Sequence, residues 1–137
     1  MNRLVLAVAL APTLLLAACG GTACTSSSAA TQTTSPNCTV AAGQQITVNV
    51  ALCGKCTDSA PSCQAEWLGD RLEVAPTVQQ CQEQAGCNPS GGCDINARAT
   101  CTVTIPAGTT GAPPIVLAGE NTYTGTLTIG SGTTCNL

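Results

Sequence analysis

The chain has no histidine and no phenylalanine, and its only aromatic residues are Trp67 and Tyr123. Without histidine, neither a Ser-His-Asp nor a Cys-His nucleophile arrangement can be assembled. Cations are also scarce: Arg3, Lys55, Arg71 and Arg98 stand against seven acidic residues, a formal net charge of −3. Scattered along the chain, they form neither the basic face that nucleic acid requires nor the polybasic cluster that recognises anionic lipid head groups. The sole lysine, Lys55, sits between two cysteines, which argues against a Ser-Lys dyad. A glycosidase working through carboxylates alone would also want sugar-stacking aromatics, and the chain offers two. Asp94 and Asn96 have the spacing that opens a calcium loop, but the glycine and glutamate such a loop uses do not follow. These absences point to a protein that is not an enzyme and carries no cofactor or metal.

The shortage of aromatics also constrains stability. The core must come from Val, Ile, Leu, Ala and cystine, and aliphatic side chains each bury less area than aromatic ones. Covalent cross-links would supply what packing lacks, and cysteine is abundant, with 11 residues.

The amino-terminal stretch reads as a targeting segment. Arg3 gives a positively charged start, and Leu4 to Leu16 is then apolar apart from Pro12 and Thr13. That run is too short for roughly 30 Å of hydrocarbon, which needs about 20 residues, and suits the apolar region of a signal peptide. Leu16-Ala17-Ala18-Cys19 resembles the lipobox of bacterial lipoprotein precursors. The resemblance covers residues 1–19. It implies cleavage before Cys19, acylation (palmitate or a similar chain) of Cys19 on its sulfur and new amino group, and anchoring in the cell envelope. Gly20, rather than Asp, after the cysteine favours the outer membrane or cell surface over the inner membrane. Contact with the membrane would then run through the lipid alone, since loss of Arg3 takes the net charge from −3 to −4.

Setting Cys19 aside leaves an even number of cysteines: Cys24, Cys38, Cys53, Cys56, Cys63, Cys81, Cys87, Cys93, Cys101 and Cys135. An exported chain meets an oxidising compartment, so all ten are disulfide candidates. Their pairing is open among many hundreds of combinations. Cys53-Gly54-Lys55-Cys56 follows a strand-like run and has the spacing of a thiol-disulfide oxidoreductase motif. The helix that should follow it is missing, because Thr57 to Cys63 reads as a turn. With no second such motif and no histidine, a zinc site is disfavoured.

Three regions follow: a signal peptide over 1–18, a lipidated cysteine with a tether over 19–37, and a Cys-rich domain over 38–137. In the tether, nine of the fourteen residues from Thr22 to Ser35 are Ser or Thr, so the stretch is expected to be a flexible spacer. Its Ser/Thr density would also admit O-glycosylation.

The domain reads as all-β. Ile46, Val48 and Val50 alternate with polar or small neighbours, the period of a half-buried strand. Gly69-Asp70 between Gln64–Leu68 and Arg71–Ala75 is a two-residue hairpin signal. It sets Trp67 opposite Leu72 and Ala65 opposite Val74, and places Glu66 against Glu73. Ile95 to Ile105 alternates without a break, pointing Cys101 inward, until Pro106 stops it. Ile115–Ala118 and Thr122–Ile129 complete the series. About seven short strands suit a disulfide-stapled antiparallel β-sandwich, immunoglobulin-like in size and spacing. The function expected of it is that of a structural or protein-interaction module with an envelope protein as partner. The alternatives are an oxidoreductase using Cys53 and Cys56, or a small-ligand or protease-binding domain using the Cys81–Cys93 loop.

Overall fold

The computed structural model describes residues 23–81, 93 and 95–137. The signal peptide, Cys19 and the interior of the Cys81–Cys93 loop, including Cys87, lie outside the described residues. Nine strands are present among the described residues: β1 (Thr25–Ser28), β2 (Asn37–Val40), β3 (Gln45–Gly54), β4 (Asp58–Trp67), β5 (Leu72–Gln80), β6 (Ile95–Thr104), β7 (Pro114–Ala118), β8 (Thr122–Ile129) and β9 (Thr134–Asn136). They form a six-stranded and a three-stranded sheet. Alternation sorts the side chains as expected. Ile46, Val48, Val50 and Leu52 of β3 are fully buried, opposite Leu72, Val74, Ile115, Leu117 and Leu127 of the larger sheet. The buried hydrophobic residues are aliphatic or cystine, with Trp67 and Tyr123 only packed against their margin.

The pairings are mixed, where the sequence suggested antiparallel ones throughout. β2–β8, β3–β9 and β5–β7 are parallel. Parallel neighbours need a crossover, and for β5 and β7 the crossover is a strand of the opposite sheet. The chain leaves β5, runs back along β6 beside β3, and re-enters parallel to β5. The likeness to an immunoglobulin domain goes no further than two packed sheets.

The tether expectation is also corrected. β4 covers one flank of β5 from end to end, so the other flank is shared. β7 pairs there with Leu72–Val74, and β1 takes over at Thr77–Gln80. Pro76, which has no N–H to give, sits at the changeover, where its carbonyl accepts from the Ala29 N–H at 3.0 Å. β3 repeats the plan: β6 holds one flank, while β9 and then residues 30–32 hold the other. The Gln32 N–H donates to the Ala51 carbonyl and the Cys53 N–H to the Ala30 carbonyl. Residues 25–32 therefore stitch the two sheets together, and Ala29 and Pro36 are buried. Polar side chains did not prevent this, because the segment is held by its backbone and by the Cys24–Cys81 bridge.

The hairpin has the expected register, with Trp67 opposite Leu72, Ala65 opposite Val74 and Glu66 opposite Glu73. Arg71 eases the like-charge pair, its guanidinium lying 3.7 Å from the Glu73 carboxylate. Gly69 has φ +93°, and a Cβ there would meet nothing within 4 Å. Gly69→Ala should therefore cost about 1 kcal/mol, the backbone penalty alone, with an unchanged core; paired thermal melts and near-UV spectra would check this. Further along β4, the expected turn over Thr57–Cys63 is mostly strand. It is interrupted by a register shift between Ser59 and Ser62, where Ala60 takes φ 44° ahead of Pro61.

Candidate functional site

The cysteines define the first candidate. Nine of the ten lie among the described residues, and all nine are disulfide-bonded. Cys24 joins Cys81, Cys38 joins Cys135, Cys53 joins Cys93 and Cys63 joins Cys101; Cys56 is bonded as well. The oxidoreductase reading needs a Cys53–Cys56 bond. The structure overturns it, because Cys53 at the end of β3 is committed to Cys93 beside the start of β6. The residues between the two cysteines are occupied structurally. The Lys55 N–H donates to the Asp58 carboxylate at 2.8 Å, the Asp58 N–H returns to the Lys55 carbonyl at 2.9 Å, and the Lys55 ammonium lies 3.5 Å from Glu120. Together these close a turn and present no reactive thiol.

Two bridges have a distinct architectural role. Cys63–Cys101 joins β4 of the larger sheet to β6 of the smaller one, and Cys38–Cys135 joins β2 to β9. These strands are neighbours across the two open sides of the sandwich. Each side is therefore closed by a covalent link, as a row of ladder hydrogen bonds would close a barrel.

The second candidate is a cleft at the end of the sandwich opposite Cys24. Cys24 lies beside the Gln80 end of β5, while the Gly69-Asp70 turn caps the Leu72 end. The loop after β6 meets that turn, and between them opens a cleft of about 630 Å³ lined by Trp67, Asp70, Pro106, Thr109, Thr110 and Pro113 among others. The loop is held in shape from within: the Thr109 N–H and hydroxyl both donate to the Pro106 carbonyl, at 3.2 and 2.9 Å. Among the described residues Asp70 is the only charged one lining the cleft, and its carboxylate lies 3.6 Å from Arg71. Leu68, the only large hydrophobic residue exposed beyond a third among those described, at 39 %, adjoins the same tip.

Sequence reasoning placed the hairpin and the stop at Pro106 but did not bring them together. The signal for the loop is its punctuation, Pro106, Gly108, Gly111, Pro113 and Pro114; nothing local says that it folds toward Trp67. Among the described residues no three His, Cys, Asp or Glu side chains converge to hold a metal ion. No described helix is long and apolar enough to cross a membrane. Compared with protein-family models, with curated proteins and with solved structures, the chain matches none.

Proposed function

We propose that this protein is a lipid-anchored lipoprotein of the bacterial cell envelope, whose stapled two-sheet domain acts as a non-catalytic interaction module at the outer membrane or cell surface. The observation that carries the reading is the oxidation of every described cysteine. Disulfides on this scale belong to oxidising compartments, which agrees with an apolar leader ending in Leu16-Ala17-Ala18-Cys19. With ten later cysteines forming an even set, Cys19 is the thiol left over for acylation.

The β1 strand and the Cys24–Cys81 bridge shorten the link between lipid and domain. Only five residue steps separate Cys19 from Cys24, a span of at most about 18 Å whatever the conformation. The domain would therefore lie close to the lipid head groups, its Cys24 end toward them and its Trp67 cleft facing away. The acidic balance of the chain adds no attraction to an anionic surface, so the acyl chains must hold it, and several together do so stably where one is marginal.

Metabolic labelling with an alkynyl fatty acid tests the anchor. The wild-type protein should be labelled and partition with membranes; Cys19→Ser should lose the label entirely and keep its leader, running as a heavier species. Label retained by Cys19→Ser, or no label on the wild-type protein, would refute the anchoring. Crosslinking in intact envelopes followed by affinity isolation would then identify the partner.

A further inference from the structure

The geometry points to a saccharide-binding site in the cleft between the Gly69-Asp70 turn and the loop after β6, selective for neutral sugars over acidic ones. The argument begins with charge. Among the described residues no cation lines the cleft, and Asp70 is the only charged group that does. The neighbouring cation, Arg71, is shared between the Asp70 carboxylate at 3.6 Å and the Glu73 carboxylate at 3.7 Å. A phosphate, sulfate or uronic acid would therefore meet a net negative rim, and like charges at close range are costly. A ligand rich in hydroxyl groups faces the reverse situation. An ionised carboxylate is acceptor-only and takes several O–H donors, and charge-assisted bonds of that kind are the strong ones.

Thr109 adds to the acceptor side. Its hydroxyl hydrogen is already donated to the Pro106 carbonyl, so the oxygen meets the cleft as an acceptor, while the exposed Thr110 hydroxyl can serve as either partner. Trp67 supplies the other half of the chemistry. It is half-buried, packed against the core on one side and lining the cleft on the other. A flat aromatic surface fixed by its own packing costs little entropy on binding, and it suits the C–H face of a pyranose ring. Pro106 and Pro113 extend the apolar lining with rigid, donor-free rings. The cleft is open to solvent and mixes polar with apolar lining, and at about 630 Å³ it is within the size range of small-molecule sites. The cleft opens at one end of the sandwich, where an extended glycan could pass through without meeting the rest of the domain. This site is independent of how the chain is anchored.

Trp67 is the only tryptophan, so the test needs no label. The full-length protein, in a detergent without a sugar head group, is titrated with cellotriose, maltotriose and N-acetylated chitotriose at millimolar concentrations, following Trp67 emission; triglucuronic acid is the acidic control. At least one neutral trisaccharide should give a saturable change, and the acidic one should bind at least tenfold more weakly. Asp70→Asn and Thr110→Ala should each weaken binding, Asp70→Asn by tenfold or more. Both positions are exposed, so melts should show the fold intact. No saturable change with any neutral trisaccharide, equal or tighter binding of the acidic one, or undiminished affinity in Asp70→Asn would overturn the proposal.

Discussion

Replacing Cys38 and Cys135 together by alanine is expected to lower the stability of the domain by about 4–5 kcal/mol and its thermal midpoint by roughly 15–20 °C. The bridge spans 97 residues, and closing a loop of about 100 residues removes unfolded-chain entropy worth about 4.7 kcal/mol on the chain-entropy account. A shift of a few degrees per kcal/mol then follows for a domain of this size. Cys135 is also fully buried, so its removal leaves space at the margin of the core and adds to the loss. The bridge closes one side of the sandwich, where β2 and β9 are contiguous without being paired as a ladder. Thermal denaturation of wild type and double variant, each with its remaining cystines intact, measures the difference. A loss below about 1 kcal/mol would mean that packing alone closes that side.

Gly125→Ala should be nearly as damaging, at about 3 kcal/mol, although it adds a single methyl group. Gly125 lies in the middle of β8, opposite Ile115 of β7. A Cβ there would run into the carbonyl of Pro36, which is backbone and cannot step aside. Overpacking of this kind typically costs 1–3 kcal/mol, and more when the obstruction cannot relax. The Thr126 N–H donates to the same Pro36 carbonyl at 3.0 Å, so displacing it also loosens a hydrogen bond. The expected signature is local as well as global. Amide exchange should quicken over residues 29–36 before it quickens in β3, because those residues are the ones pushed off the sheet. Gly119 offers a parallel case, since its Cβ would meet the Ala29 carbonyl. Uniform exchange at wild-type rates in Gly125→Ala would show that the segment is not held by this contact.

Those two glycines bear on how much of the fold was legible. Periodicity carries information wherever one face of a strand is buried. Ile95–Ile105 and Thr122–Ile129 alternate without a break, and from Ala97 onward their inward residues are the ones the structure buries or half-buries. Turn chemistry carried the hairpin: Gly69-Asp70 fixes the register that pairs Trp67 with Leu72. What failed was whatever depends on distant chain. β1 has no apolar side chain to announce it, since Thr25–Ser28 is TSSS and pairs through backbone alone. The one hint was Gly125 itself, a glycine interrupting a strand of alternating threonines, which marks a close backbone approach. Cystine pairing and parallel neighbours were equally out of reach, because both are set by crossovers between sheets. The cleft brings residues 67–70 together with 106–113 for the same reason.

Cys24 also decides how the domain would answer to force. If tension were drawn between an acylated residue 19 and a ligand held at the far tip, it would enter the fold at Cys24 and pass at once through sulfur to Cys81 at the end of β5. The hydrogen bonds of β1 would be spared, because the covalent path lies in front of them. Slack stored in residues 25–36 would stay folded until that bond was cut by a reductant. Cys24 and the tip would keep a fixed separation, as the two ends of a rivet do.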